Sequence, residues 1–206
     1  MFIYGLFTFF ATASENVVIG DTAGNVFKNS PYQIENYYVT MSIVCLLMTT
    51  AFMNATANRD FQFGMHQFVF SSPIKKRDYF FGKFIGAVIV SVIPMLGLSI
   101  GTLIAPPLAS LFDMAPPERF GEIYWSAHLQ GILSFGLPNV IISGVLLFSL
   151  AIIFRSTIVS FIGSMLMLVF YIISASFTKD IQDEWLANLL DPFGRKPFNI
   201  MTKYLT

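Results

Sequence analysis

Apolar residues run almost unbroken through five stretches of the chain, 1–13, 39–57, 84–105, 129–154 and 156–177, with polar segments between them. A helix needs about 20 apolar residues to cross a bilayer, and the last four stretches meet or approach that length. The first, MFIYGLFTFFATA, falls short, and no basic residues precede it as they would in a secretory signal. It reads as the outer half of a span in a chain clipped at its start. Pro94 sits in the middle of 84–105, and the small-residue pairs Gly82/Gly86 and Gly97/Gly101 lie on the sides of that stretch. Stretch 129–154 contains Pro138 with Gly131, Gly136 and Gly144. Small residues four apart let helices approach closely, and a buried proline is tolerated where neighbours satisfy the freed carbonyl. The pattern predicts an all-α, polytopic transmembrane helix bundle with about five spans, forming a single domain over 1–206.

Two of these stretches are one-sided. At the helical period Ser42, Thr49, Thr50, Asn54 and Thr56 share half of the surface of 39–57 with Ile43 and Leu46, opposite Val44, Leu47 and Met48. In 156–177 the residues Ser156, Ser160, Gly163, Ser164, Met167, Tyr171 and Ser174 fall within about a hundred degrees of one another. Such faces point into a bundle. Close helix packing and the lining of a solute route both select them, and both readings stand.

Composition agrees with a membrane chain: 55% of residues are hydrophobic, 23 are Phe and only 12% are charged, against about a quarter charged in soluble domains. Net charge is zero, so no basic field attracts nucleic acid, and no aromatic and basic residues interleave as a single-strand binder requires. The lone Cys45 allows no disulfide framework and no CxxC pair. Charge is informative only in its placement. Segment 58–83 carries Arg59, Lys75, Lys76, Arg77 and Lys83 against Asp60 and Asp78, and Arg155 stands alone between two spans. Segments 14–38 and 106–127 lean acidic, through Glu15, Asp21 and Glu35 in the first and Asp113, Glu118 and Glu122 in the second. Basic loops stay inside, so 58–83 and Arg155 are expected in the cytoplasm and the acidic segments outside. The tail 179–206 is polar and amphipathic, with Trp185 near membrane level and a turn at Asp191-Pro192-Phe193-Gly194. Within 58–83, Phe61, Met65, Phe68 and Val69 recur at helical spacing before Ser71-Ser72-Pro73 stops the helix. A short amphipathic helix of this kind either rests among lipid headgroups or docks on a soluble partner.

Enzymatic constellations are scarce. His66 and His128 have no carboxylate or second histidine at ligand spacing, no serine sits in G-x-S-x-G, and no glycine-rich loop precedes a Lys-Ser or Lys-Thr pair. No catalytic, metal-ligating or cofactor-binding residue is therefore expected. No Asp, Glu, Lys, Arg or His lies inside the four longer apolar runs, apart from their boundaries, and an ion or proton relay would have to place one there. Anything this bundle moves is driven by another polypeptide.

The order Ala57-Asn58-Arg59-Asp60, a helix, Phe70-Ser71-Ser72-Pro73-Ile74-Lys75-Lys76, then Tyr79 and Gly82-Lys83-Phe84 resembles the permease subunits of the type-2 family of ATP-binding-cassette exporters. The resemblance covers nearly the whole chain in span order and loop polarity. It implies that residues 59–70 form the coupling helix seated in a groove of a separate ATPase, with 71–77 as its exit. Arg59, Asp60, Phe61, Gln62, Phe63, Met65 and Phe68 would then couple to that ATPase, which binds ATP and Mg. The modest charge on the polar side of this helix, Asp60, Gln62 and Gln67, fits docking better than a lipid-surface role. It further implies a second permease copy or half, surrounding lipid, and a bacterial cytoplasmic (inner) membrane. Ser42, Thr49, Thr50, Asn54, Ser156, Ser160, Ser164, Tyr171 and Ser174 become candidates for the translocation path, since the second and fifth spans face the central cavity in that family. The family has six spans and a cytoplasmic segment before the first, so this chain looks clipped at both ends. The turn at Asp191 to Gly194 also resembles a segment of bacterial relatives that continue into a second membrane half and a zinc aminopeptidase domain. A membrane scaffold that only holds partners is the alternative.

Overall fold

A computed structural model describes residues 1–14, 17, 19, 26–177 and 188–202, without the side chains of Phe70 and Met201. Glu15, Asp21, Lys179 and Trp185 lie outside the described residues. Helices account for the fold, and no strand occurs among the described residues. They are α1 (Phe2–Ala13), α2 (Pro31–Gln62), α3 (His66–Ser71), α4 (Lys76–Val92), α5 (Leu96–Leu111), α6 (Trp125–Gly131), α7 (Leu137–Phe154), α8 (Thr157–Phe177) and α9 (Arg195–Thr202). Four helical stretches, Pro31–Gln62, Lys76–Leu111, Trp125–Phe154 and Thr157–Phe177, are long and apolar enough to cross a membrane, and Phe2–Ala13 is a shorter apolar helix.

The central element is α2, which packs against α4, α6, α7 and α8. It starts earlier than the apolar run because Ser30 caps it, accepting a hydrogen bond from the Gln33 N–H at 3.3 Å, and Pro31 occupies the first turn. Both choices suit a helix start, since the cap satisfies a free donor and proline has none to lose. The expected outer loop 14–38 therefore ends at residue 30. Tyr38, Cys45, Leu46 and Met53 of α2 join Leu98, Leu147 and Phe148 in the principal core. Val44 and Leu47 face outward, so the helix buries its polar half and exposes aliphatic side chains, the inverse of a soluble bundle.

Prolines are absorbed in two ways. Pro94 tightens the rod 76–111 into one 3₁₀ turn, Ile93–Met95, between α4 and α5. Pro138 follows a π turn at Ile132–Gly136 that joins α6 to α7. Each local change of pitch accommodates a carbonyl that has no proline N–H to meet. The expected outer loop from 106 begins late, because α5 continues through Pro106 and Pro107 to Leu111. Packing outweighs the two lost hydrogen bonds there: Ala105 and Ala109 are fully buried and cluster with Ala13 at the end of α1.

Helices α1 and α5 make the closest contact in the bundle. Gly97 lies against the Met1 carbonyl and Gly101 against the Gly5 carbonyl, so the two helices run in the same direction. The Thr8 hydroxyl bridges them, donating to the Tyr4 carbonyl at 2.9 Å and lying 3.3 Å from that of Leu98. A Cβ on Gly97 or Gly101 would overlap backbone atoms of α1. The pair Gly82/Gly86 differs, since nothing lies within 4 Å of a Cβ at either position. Among the described residues only one of the two small-residue pairs packs against another helix.

The loops sort into two ends. At one end Lys28 Nζ donates to the Ser14 carbonyl (2.7 Å), and Asn29 exchanges hydrogen bonds with the Gly121 backbone at 2.8 and 2.7 Å. The two acidic segments therefore touch. At the far end of α2, Phe61 meets Arg155, which joins the two basic ones.

Candidate functional site

The basic end carries the candidate site. Residues 59–70 were expected as one helix, and the structure divides them. Arg59 to Gln62 complete the last turn of α2, the chain turns through Phe63, Gly64 and Met65, and α3 begins at His66. Gly64 makes the break, with φ +70. Glycine takes that conformation without the Cβ clash other residues meet. The periodicity that placed Phe61, Met65, Phe68 and Val69 on one face is thereby cut.

The aromatic and sulfur side chains separate as a result. Phe63 is 71% exposed, Met65 54% and Phe68 76%. Phe61 turns back instead. Its ring lies 4.3 Å from the Arg155 guanidinium carbon and stacks on the His66 ring at 5.3 Å with 24° between planes. Arg59 and Gln62 are exposed, while Asp60 is half-buried. Asp60 anchors the segment to α4: Lys83 Nζ lies 2.8 Å from its Oδ2, and the Tyr79 hydroxyl donates to the same oxygen. Lys83 also sits 4.9 Å from the Tyr79 ring centroid. Lys75, Lys76 and Arg77 remain exposed beside this anchor. Exposed apolar side chains face either lipid or a partner protein.

The polar faces of α2 and α8 meet just below. Asn54 Nδ2 donates to Thr157 Oγ1 at 3.0 Å, Ser160 Oγ donates to Asn54 Oδ1 at 3.3 Å, and Asn58 Nδ2 donates to the same oxygen at 2.9 Å. One amide thus ties the start of α8 to α2. Most of the other path candidates lie apart from this cluster. Ser42, Thr50 and Ser164 donate to carbonyls of their own helices, those of Val39, Leu46 and Phe161. Thr49 lies 3.9 Å from Cys45 Sγ. Ser174 donates to the Leu190 carbonyl at 2.5 Å, and Tyr171 meets Phe193 edge to face at 5.2 Å. Ser42, Thr49, Thr50, Asn54, Ser160, Ser164 and Ser174 are buried, and Ser156 and Tyr171 half-buried.

Sequence reasoning passed over Asn139. It donates from Nδ2 to Ser42 Oγ at 2.9 Å and to the Phe193 carbonyl at 3.1 Å, joining α2, α7 and the turn before α9. The signal was available, as a lone amide in the apolar run 129–154. The partners of Asp60 carried no such signal, since they lie 19 and 23 residues away on another helix. Asp191 holds the turn itself, accepting from the Phe193 and Lys196 N–H groups at 3.0 and 2.6 Å.

Chemically the basic end offers exposed apolar side chains, exposed cations and one ion pair. Among the described residues no group of three or more His, Cys, Asp or Glu is placed to hold a metal. The chain has no match among protein families, curated proteins or solved structures.

Proposed function

We infer that the chain is the membrane permease subunit of an ATP-driven exporter of the type-2 ATP-binding-cassette kind, set in a bacterial cytoplasmic membrane. The reading rests on the residue order from Ala57 to Phe84. The observation that carries it is the exposed trio Phe63, Met65 and Phe68 at the basic end of the bundle. These side chains project from a turn whose preceding residue Asp60 is paired with Lys83 of α4, an apolar projection suited to a groove in a soluble protein. The partner would be an ATPase that binds ATP and Mg, and a second permease copy or half would complete the membrane part. Four long helical stretches would cross between an acidic outside and a basic inside, with the short α1 as the outer half of a fifth span. Ser42, Thr49, Thr50, Asn54, Ser160 and Ser164 would line the solute route when the seam between α2 and α8 parts.

The test is the double variant F63E/F68E, read by the P-loop ATPase that co-purifies with the parent chain. Apolar anchors at the centre of an interface each contribute roughly 2 kcal/mol or more, so ATPase retention should fall at least about thirtyfold while the bundle stays inserted. Unchanged retention with unchanged ATP hydrolysis sinks the reading. A complex that keeps its ATPase but moves no solute belongs to the scaffold alternative.

A further inference from the structure

We propose that Arg155 is a positioning residue, the joint through which the docking segment grips the inner end of α8. Three observations converge on it. Arg155 and Ser156 are all that separates α7 from α8, and Arg155 has φ 48 and ψ 32. A non-glycine residue in this left-handed region is strained, and such strain persists only where the surroundings impose it. Its guanidinium lies over the Phe61 ring at 4.3 Å, within the range of a cation–π contact. Phe61 in turn stacks on His66, the first residue of α3. The stack therefore links the last turn of α2, the start of α3 and the α7–α8 junction.

The mechanical consequence follows from how α8 is held. It is the least buried of the four long helical stretches, and most of its large side chains face outward. Its inner end is fixed to α2 through Asn54, which bonds Thr157 and Ser160. Arg155, two residues before Thr157, adds the attachment to α3. A displacement of α3 pulls on Phe61 and His66, and through Arg155 on the first turn of α8. Asp60 serves the other side of the segment, tying it to α4 through Lys83. The docking segment is thus clamped between α4 and the α7–α8 junction, and the second clamp reaches the least buried of the long helices. That α3 is a docking segment rests on the proposed function. The joint itself does not.

The experiment uses the full chain in lipid nanodiscs, with no ATPase present. Trypsin cleavage after the exposed Lys75 and Lys76 reports release of the segment, and a nitroxide at Ile158, exposed on the first turn of α8, reports the far side of the joint. R155Q should speed cleavage about fivefold, the scale of one cation–π contact, F61L at least as much because it also removes the His66 stack, and the R155Q/F61L double variant should be no faster than F61L alone, because Arg155 acts through Phe61. F61L should also loosen the Ile158 nitroxide, although Phe61 is not part of α8. R155G separates the joint from mere stability: glycine accepts φ 48 without strain, so its unfolding midpoint should match or exceed the parent while cleavage still accelerates. Parental cleavage rates in R155Q or R155G, independent addition in the double variant, or an unchanged Ile158 nitroxide would each overturn the joint. A lost ATPase interaction would remove the exporter reading and leave all of these rates as they are.

Discussion

Asn139 shows how a single amide works in this bundle. Its two N–H groups are committed to Ser42 Oγ and the Phe193 carbonyl, and no water would replace either partner in an apolar interior. Interhelical hydrogen bonds in membranes average about 0.6 kcal/mol and reach about 1.7. N139L should therefore lower stability by about 1 kcal/mol, measured by unfolding in detergent or by steric trapping, and should detach the turn at 191–194. Adding S42A should cost little more, since the bond to Ser42 is already gone. A full second loss on adding S42A would mean that Ser42 acts through its own bond to Val39 and not through Asn139.

Among elements, the α1–α5 contact and the unpartnered side of α4 make a matched pair. G101A places a methyl into the backbone of α1, and overpacking of this kind costs about 1–3 kcal/mol. G86A meets nothing within 4 Å, so only helix propensity acts, favouring alanine by up to about 1 kcal/mol. The two substitutions should move the unfolding midpoint in opposite directions, and an equal response would show that α1 is not held at Gly101. Both pairs looked alike in the sequence, because spacing says that a helix can come close but not which helix does. The apolar runs themselves were legible, and α8 matches its run within one residue, 157–177 against 156–177. The element ends were less so. Ser30 and Pro31 start α2 eight residues before the apolar run, and Pro106 and Pro107 fail to stop α5. Gly64 cuts a helix that hydrophobic spacing carries straight through. In each case a cap, a buried contact or one positive φ decided the boundary, and none of these is periodic. The exposed trio at the site was legible as apolar side chains in a basic segment. The inward turn of Phe61 was not, because it depends on Arg155, 94 residues away in the chain.

At the scale of the whole molecule, the grouping of loops is open to direct measurement. Acidic segments meet at one end through Asn29 and Gly121 and basic ones at the other through Phe61 and Arg155, which is the arrangement expected of a chain whose inner loops are positive. Cysteines placed at Lys76 and Glu118, both exposed, should react with an impermeant maleimide from opposite sides of the membrane. The native Cys45 is buried and should stay silent. Reaction of both new cysteines from the same side would dismantle the sidedness.

The length of α2 has a geometric consequence for that whole. Thirty-two unbroken residues make a rod of about 48 Å at 1.5 Å per residue, while the hydrocarbon layer is about 30 Å thick. Such a rod overhangs the oily layer, with Tyr32 stacked on Phe198 near one tip and Phe61 on His66 near the other. A rod of this length is a long lever. A tilt of roughly 10° about its midpoint swings each tip sideways by about 4 Å, in opposite senses, for a rod of this length. Because Asn54 ties the rod to α8 and Ser42 ties it to α7, a nudge at the basic tip would be carried to those helices as well as to the acidic end.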